Sequence, residues 1–337
     1  VGFGVVGPWP RAVWAGGVAV GANPRNPAAE WHYILEEAGF DVIVAETDDE
    51  TTAPWKSRVG GLEKGRHAVA AAQPIAAVRV PEESPAFWVH SSGTSGKPKA
   101  VVHAHRCIRD IGRVSAERIG IEPGDRLFAS SRLFFSYPLT NLLLAGLRIG
   151  ATLILDAQWP NAKSVAATVA RTHPTVLFSV PSLYRDLLHE GLAPQIAAAG
   201  VRRCVSAGEA MPQALRDAWR AATGLTIIDG YGASEVLSLV LTALDGDDGL
   251  QLSPGVDARP LDAEAAAGGG PTRLLIRPTT AALGHLDRPA APAGPVPRGR
   301  VLPAGLARPP ARARRGRGRG GRRPAGMPGR RGATRAA

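Results

Sequence analysis

The chain has 337 residues, with 40 Lys+Arg against 29 Asp+Glu and a formal net charge of +11. The excess is confined to residues 288–337, which contain 14 Arg and no acidic residue, so residues 1–287 hold 26 basic and 29 acidic residues, a net charge of −3. This distribution excludes a uniformly basic domain that coats nucleic acid.

The composition also indicates the compartment. Cys107 and Cys204 have the spacing neither of metal ligands nor of a redox pair, which favours a reducing environment. The most apolar stretch, residues 142–155, is interrupted by Arg148 and is too short to cross a bilayer. The first residues lack the basic flank and the cleavage site of a signal peptide. We therefore expect a cytoplasmic protein with no membrane partner.

Residues 1–242 alternate between helical and strand patterns. Apolar residues at helical spacing behind a capping residue predict helices, and short apolar runs predict strands. The predicted elements are, in chain order, a helix from Asn26, strands 40–45 and 85–90, helix 103–118, strand 126–130, helix 138–148, strand 151–155, helix 162–171, strand 175–179, helix 181–189, strand 201–205, helix 212–222 and strand 225–229. Residues 46–84, which have few apolar anchors, are interpreted as a peripheral excursion. The alternation predicts an α/β fold with a largely parallel sheet.

Ligands of such folds bind beyond the carboxyl ends of strands, here in the loops after His90, Val205 and Asp229. The first loop, residues 91–99, reads Ser-Ser-Gly-Thr-Ser-Gly-Lys-Pro-Lys. Hydroxyl groups, glycines and two lysines suit a polyphosphate. It is not a Walker A loop, because Ser91 stands where that motif needs Gly and Pro98 where it needs Ser or Thr. A flexible turn without a ligand is the alternative for this loop taken alone.

The loop resembles the phosphate-binding signature of the adenylate-forming enzymes, which include acyl- and aryl-CoA synthetases, luciferases and the adenylation domains of peptide synthetases. Their pattern is Ser/Thr-Ser/Thr-Gly-Ser/Thr-Thr-Gly-x-Pro-Lys, and only Ser95 departs from it, keeping a hydroxyl in place of Thr. The resemblance implies the large N-terminal domain of that family over residues 1–287, with parallel or mixed sheets and flanking helices. The implied ligands of the ATP phosphates in this loop are Ser91, Ser92, Gly93, Thr94, Ser95, Gly96, Lys97 and Lys99.

Two later loops extend the resemblance. Residues 206–212 read Ser-Ala-Gly-Glu-Ala-Met-Pro, where the family lines its adenine pocket, and residues 229–235 read Asp-Gly-Tyr-Gly-Ala-Ser-Glu, where the family has Tyr-Gly-x-Thr-Glu. The implied adenine-binding residues are Gly208, Glu209, Ala210, Asp229, Gly230, Tyr231 and Gly232. Ser234 is implied to bond the α-phosphate, and Glu235 to hold Mg²⁺, which prefers carboxylates together with phosphate oxygens. Taken singly, the first loop is also an ordinary helix entry, Tyr231 a core aromatic and Glu235 a solvated carboxylate.

Residues 133–141 bear on the substrate. Their Phe-Ser-Tyr step resembles the benzoate-CoA ligase branch, and Phe135, Tyr137 and Ala207 are the implied pocket for an aromatic carboxylic acid. Ordinary core packing of the two aromatic rings is the alternative. The implied reaction uses ATP to convert the acid to an acyl-adenylate and then transfers the acyl group to CoA. It depends on positioning and charge neutralisation and needs no catalytic triad.

The resemblance ends near residue 287. The family continues with a ribose-binding Asp motif and a small domain that bears an essential Lys, but no Asp follows Asp287 and no Lys follows Lys163. The family's first segment also has no match here. We therefore expect an adenylation domain that is incomplete at both ends and severely impaired in turnover.

Residues 288–337 are predicted to be a disordered tail. Of these 50 residues, 44 are Arg, Ala, Gly or Pro and none is aromatic, so too little apolar area is available to offset the entropy of ordering. Because these four residue types have GC-rich codons, the tail is hypothesised to be a frameshift product. The competing hypothesis is a degenerate adenylating domain with an RNA-binding arm, since residues 316–323 resemble an RGG segment. The tail has no aromatics between its Arg-Gly steps, so a nucleic-acid partner is not expected.

Overall fold

The computed structural model describes residues 8–45, 59–61, 73, 75–91, 98–247, 249–260, 274–286 and 300–302. Its strands are β1 (Ala19–Val20), β2 (Ile43–Ala45), β3 (Val59–Gly61), β4 (Pro85–Ser91), β5 (Lys99–Ala104), β6 (Arg126–Ala129), β7 (Thr152–Ile154), β8 (Val176–Ser179), β9 (Arg203–Ser206), β10 (Ile227–Gly232), β11 (Leu239–Ala243), β12 (Gln251–Leu252), β13 (Val256–Pro260), β14 (Leu274–Pro278), β15 (Gly284–His285) and β16 (Arg300–Leu302). Its helices are Pro8–Trp14, Ala28–Ala38, His105–Asp110, Gly112–Val114, Ser136–Pro138, Ala145–Ile149, Ala162–Thr172, Pro181–His189, Ala193–Ala198 and Gln213–Thr223, with π-helical turns at Ser115–Ile119 and Leu139–Leu144. The predicted α/β class with mixed sheets and flanking helices is confirmed.

A seven-stranded sheet forms the centre of the described fold, in the order β12-β11-β10-β9-β8-β6-β7. The strands from β7 to β10 are parallel, and β11 and β12 extend the sheet in antiparallel pairing. Parallel neighbours need a crossover connection, and the helices between residues 136 and 223 supply these crossovers. The carboxyl ends of β8, β9 and β10 consequently lie side by side.

Both faces of this sheet are covered by apolar side chains. On one face, Leu177 and Cys204 pack under the helices that include Tyr184 and Trp219, whose rings meet edge to face with centroids 4.8 Å apart. Alternate residues of the same strands, such as Phe178, belong to a second cluster on the other face. A parallel sheet buried on both faces accounts for strands that read as continuous apolar runs.

A four-stranded sheet, β1-β4-β5-β15, carries the 91–99 segment. β4 and β5 are antiparallel neighbours, and Ser91 is paired with Lys99 across the ends of the segment. The predicted helix 103–118 is wrong in its first part, because β5 continues to Ala104 and the helix begins at His105. An apolar run as short as residues 100–104 fits either element, and pairing with β4 makes it a strand.

Smaller differences from the predictions concern the connections and the tail. The predicted helix 138–148 contains a π-helical turn, and the short helix Ala193–Ala198 was not predicted. In the tail, residues 300–302 form β16, which pairs with β14. The other tail residues, including the RGG-like segment, lie outside the described residues, and the disorder of the tail stays a prediction. Among the described residues, no helix has the length and apolar character needed to span a membrane.

Candidate functional site

The loop after β9 begins beside the last residues of β10. Ser206, the last residue of β9, is paired in parallel register with Asp229 of β10. Beyond β10, the Ser234 hydroxyl lies 3.3 Å from the hydroxyl of Ser136, which begins the short helix that contains Tyr137 of the predicted acid pocket. The structure therefore brings together the two segments predicted to bind adenine, Ser234 and residues 135–137.

The 91–99 segment can be placed only at its two ends. Ser91 ends β4 and Lys99 begins β5, and both are half-buried. The other predicted phosphate ligands in this segment, Ser92, Gly93, Thr94, Ser95, Gly96 and Lys97, lie outside the described residues. Their role in phosphate binding stays a prediction.

Ser234 and Glu235 lie in a loop whose backbone carbonyls accept hydrogen bonds from other segments of the chain. His103 of β5 is fully buried, and its Nε2 lies 2.8 Å from the carbonyl oxygen of Ser234. The carbonyl of Glu235 accepts a hydrogen bond from the Ala282 amide at 2.9 Å, and that of Val236 accepts one from the Thr280 hydroxyl at 2.6 Å. Three consecutive carbonyls of this loop are thus held by partners distant in the chain.

The Glu235 carboxylate is half-buried and lies near the imidazole of His285. Its Oε1 lies 3.7 Å from Nε2 of His285, the residue that stands in β15. Among the described residues, no group of three or more His, Cys, Asp and Glu side chains forms a metal site. Glu235 is the one predicted metal ligand of this loop, and its carboxylate lies near the imidazole of His285.

Two glycines of β10 allow the following loop to approach closely. A Cβ atom at Gly232 would lie 2.6 Å from the carbonyl oxygen of Ser238, and one at Gly230 would lie 2.8 Å from Leu239 Cδ1. The register with β11 shifts between Tyr231 and Gly232, which marks a β-bulge. The predicted strand 225–229 is three residues too short at its end, so Tyr231 lies in the strand, where partial burial raises the pKa of its phenol.

The loop after β9 is exposed. Gly208, Glu209 and Ala210 all face solvent, and Gly208 has a left-handed backbone with φ of +93°. Asp229, which begins the neighbouring segment, is half-buried, and burial raises its pKa while Arg216 opposes that rise. This arrangement leaves one open loop beside one partly buried carboxyl group.

The two predicted aromatic pocket residues have different surroundings. Tyr137 donates a hydrogen bond from its hydroxyl to the Val205 carbonyl at 3.1 Å and packs in the same apolar cluster as Ala207. Burial raises the pKa of Tyr137 well above its usual value. Phe135 is 53% exposed and contacts the Phe134 ring, with centroids 4.5 Å apart. Tyr137 and Ala207 therefore lie together beside the end of β9, whereas Phe135 faces outward.

Sequence reasoning assigned no binding or positioning role to three residues that contact this loop. These are His103, Ser136 and Thr280, whose contacts with the 234–238 loop join residues far apart in the chain. The one available signal was His103 itself, a polar residue within an apolar run. Burial, opposed in part by the hydrogen bond to Ser234, lowers the pKa of His103 to about 4.

The two cysteines contribute apolar packing. Cys107 and Cys204 are both buried free thiols, and burial raises the pKa of Cys204 to about 12. Protonated buried thiols are poor nucleophiles. Neither cysteine carries the features of a reactive centre.

Comparison with known proteins agrees with this geometry. A family model described as AMP-binding enzyme matches residues 12–270. The chain is 37% identical over 245 residues, 68% of this chain and 47% of the relative, to the 3-hydroxybenzoate--CoA/4-hydroxybenzoate--CoA ligase of Thauera aromatica. It is 38% identical over 266 residues, 74% of this chain and 50% of the relative, to the 3-hydroxybenzoate--CoA ligase of Aromatoleum sp. (strain CIB).

Solved structures extend the comparison to the fold. The benzoate CoA ligase from Burkholderia xenovorans LB400 matches with a TM-score of 0.71 at 28% identity, over 83% of this chain and 60% of that chain. The anthranilate CoA ligase AuaEII, solved with anthranoyl-AMP, matches with a TM-score of 0.68 at 26% identity, over 81% of this chain and 56% of that chain. The chain spans about half the length of the curated relatives it matches. With the family model matched over most of its length, the chain belongs to the AMP-binding enzyme family.

Proposed function

We propose that this chain carries the nucleotide- and acid-binding domain of an AMP-forming aryl-CoA ligase, which uses ATP to join a benzoate-class acid to CoA. The observation that supports this most strongly is the hydrogen bond from His103 to Ser234. It holds the strand that leaves the 91–99 segment against the loop that carries Ser234 and Glu235. The contact supports the proposal that the lysines of this segment and the hydroxyl and carboxylate groups of the loop bind one metal-bound polyphosphate.

Magnesium is the metal that the donor set fits. Mg²⁺ is bound in proteins through one or two carboxylates together with phosphate oxygens and water, and Glu235, the residue after Ser234, supplies one carboxylate. When bound, the ion would neutralise phosphate charge. In this proposal Ser234 donates a hydrogen bond to the α-phosphate, and Lys99 with the 91–97 segment binds the other phosphates.

Adenine would lie between the loops after β9 and β10. Tyr231 offers a planar face for a base, and Gly208, whose backbone is left-handed, and Gly232 are the proposed glycine contacts. Glu209, Ala210, Asp229 and Gly230 complete the proposed contacts. An open loop on one side suits the entry of a nucleotide.

The acid would lie against Tyr137 and Ala207. These residues share an apolar cluster with Phe178 beside the end of β9, which suits an aromatic ring. The relatives named above act on 3-hydroxybenzoate and 4-hydroxybenzoate, and we extend that substrate class to this chain. Phe135, which is exposed, would contact the acid only at the rim of such a pocket.

The proposed reaction has two steps. A carboxylate oxygen of the acid attacks the α-phosphorus of ATP, the bond to the bridging oxygen breaks, and pyrophosphate leaves. The CoA thiolate then attacks the carbonyl carbon of the acyl-adenylate, and AMP leaves. The residues named here bind, orient and neutralise charge, and none of them acts as a nucleophile.

We also propose a cytoplasmic location, where ATP and CoA are available and where the free thiols of Cys107 and Cys204 stay reduced. The impaired turnover expected for the present sequence, and the frameshift hypothesis for residues 288–337, stay predictions. Sequencing the locus tests the second. A single-base correction that restores an Asp motif and a Lys-bearing domain would support it.

Thermal unfolding with non-reactive adenylate analogues tests the proposed function independently of turnover. The 337-residue chain is heated with 3-hydroxybenzoyl-sulfamoyl-adenosine, with the acetyl analogue and with adenosine. A ligand that binds only the folded state raises the melting temperature, so the aromatic analogue should raise it most. No stabilisation by any of the three would contradict the proposal, and equal stabilisation by both acyl analogues would remove the aromatic acid from it.

ATP–pyrophosphate exchange with benzoate, 3-hydroxybenzoate, 4-hydroxybenzoate and acetate completes the test. The expected result for this chain is exchange at or near background. Robust exchange would overturn the prediction of impaired turnover, and the acid giving the fastest exchange would identify the preferred substrate.

A further inference from the structure

His103 occupies a position between two parts of the proposed phosphate site. It lies in β5, four residues after Lys99, and its side chain is fully buried. Its ring stacks on that of Phe87, the residue paired with it on β4, with centroids 5.1 Å apart and planes 18° apart. This stacking fixes the plane of the imidazole and the directions of both ring nitrogens.

The hydrogen bond to Ser234 defines which nitrogen carries the proton. A carbonyl oxygen only accepts, so Nε2, 2.8 Å from the Ser234 oxygen, is the donor. In a neutral ring Nδ1 is then unprotonated, and it has no hydrogen-bond partner within the part of the chain that the structure describes. The ring therefore offers its one donor to this loop.

The bonded carbonyl belongs to the peptide unit that joins Ser234 to Glu235. Fixing the plane of this unit restricts ψ of Ser234 and φ of Glu235, and so the directions in which the hydroxyl and the carboxylate leave the backbone. The next two carbonyls of the loop are held from residues 280–282. His103 is the residue that holds this loop from β5, the strand that follows the 91–99 segment.

We infer that His103 is a positioning residue for the triphosphate and its metal: through Nε2 it sets the peptide between Ser234 and Glu235 relative to β5 and Lys99. The inference rests on the proposed function. Because a preorganised charged site loses most when its groups are free to rotate, the effect should be larger for Mg·ATP than for adenosine. A residue needed only for stability would affect both ligands equally.

Three variants separate the hydrogen bond from the shape of the ring. His103→Phe keeps the aromatic stack and removes the donor. His103→Gln places an amide N–H near the position of Nε2, and His103→Asn places one nearer the position of Nδ1. Calorimetric titration with Mg·ATP and with adenosine measures the affinity of each variant and of the unaltered chain.

We expect His103→Phe to weaken Mg·ATP binding by about tenfold, as for loss of one buried hydrogen bond, with adenosine affinity changed less than about twofold. His103→Gln should restore Mg·ATP affinity and His103→Asn should not. Should His103→Phe fail to fold, the Gln and Asn pair decides, and equal affinity in those two variants overturns the inference. Unchanged Mg·ATP binding by His103→Phe, or equal losses for both ligands, also overturns it.

Hydrogen exchange gives a second readout that needs no ligand. Amides in a peptide covering residues 229–239 should exchange faster in His103→Phe than in His103→Gln, and equal rates would overturn the positioning role. If the unaltered chain binds neither Mg·ATP nor adenosine, the proposed function fails, and the inference fails with it. If the unaltered chain binds both ligands and His103→Phe binds Mg·ATP with unchanged affinity, the inference alone fails.

Discussion

The loops that follow β9 and β10 differ although their strands are neighbours in one sheet. Gly208, Glu209 and Ala210 after β9 are exposed to solvent. After β10, the carbonyls of Ser234, Glu235 and Val236 are each bonded by a group from another part of the chain. The loop after β9 is exposed to solvent, whereas the loop after β10 is held by hydrogen bonds from other segments.

The difference matches what each loop would contact. A base is recognised by a flat apolar face and a few polar groups, so an open loop is sufficient to cover it. A triphosphate with a metal is recognised by charges, whose contribution depends on being held in place before the ligand arrives. The proposed site thus combines an exposed loop with a loop whose backbone carbonyls are held in place, and the predictions below test that contrast.

The largest expected effect concerns acid stability. The pKa of His103 is about 4 in the folded chain against an ordinary value of 6.5, so its contribution to stability is complete above pH 6.5 and is lost as the pH falls towards 4. The loss should reach about 3 kcal/mol, at roughly 1.4 kcal/mol for each pH unit between the two values. Urea unfolding at pH 7 and pH 4 should show a smaller decrease for His103→Gln. The same decrease as in the unaltered chain would contradict the prediction, and His189→Gln, at an exposed ring, is the control.

A side chain at the bulge of β10 should disrupt the loop after β10. Gly232→Ala would place a Cβ atom 2.6 Å from the Ser238 carbonyl oxygen, so backbone must move. We expect a loss of about 2 kcal/mol in the free energy of unfolding, measured by denaturant titration. Gly21→Ala, whose Cβ would meet its nearest neighbour at 3.5 Å, is the matched control and should change little. Equal effects at the two glycines would show that the close approach at residue 232 is not required.

Removing the charge from each loop in turn compares the two directly. Glu235→Gln should weaken Mg·ATP binding by about 30-fold, roughly 2 kcal/mol, because it removes the charge of the proposed metal ligand. Glu209→Gln, in the exposed loop, should change the same affinity by less than about threefold. Calorimetric titration measures both. A larger effect at Glu209 would reverse the proposed roles of the two loops.

The smallest expected effect separates the acid pocket from the core. Tyr137 and Tyr184 both donate hydroxyl hydrogen bonds to the Val205 carbonyl, at 3.1 and 3.0 Å. Tyr137→Phe and Tyr184→Phe should each cost about 1 kcal/mol of stability. Only Tyr137→Phe should alter the affinity for the aromatic adenylate analogue. An equal change in both variants, or in neither, would place the acid elsewhere.

The repeated βα units were the most predictable part of the fold. Helix Ala162–Thr172 begins at a capping box of Asn161 and Ser164, and the helix of residues 181–189 begins at a proline, so local chemistry marks their starts. The run at 100–104 has no such mark. Its pairing with β4 decides its structure, and a window of sequence around it does not contain that information.

The motifs of the candidate site were predictable from the sequence, but the residues that hold its loops in place were not. Glycine, hydroxyl and charged residues at strand ends identified the loops, because few side chains suit phosphate and base recognition. The contact of His103 with Ser234 joins residues 131 positions apart, and that of Thr280 with Val236 joins residues 44 apart. Such contacts follow from the packing of two sheets and leave no periodic trace in the sequence.

The hydrogen bonds from residues 280–282 to this loop have a consequence for folding during synthesis. The seven-stranded sheet can assemble as soon as residues up to 252 are available, because its strands all precede that point. The carbonyl of Glu235 finds its partner only after Ala282 has been added, and that of Val236 gains its bond from the Thr280 hydroxyl only after Thr280 has been added. During synthesis from the N-terminus, the domain would therefore acquire its core first and the final geometry of its charged loop last.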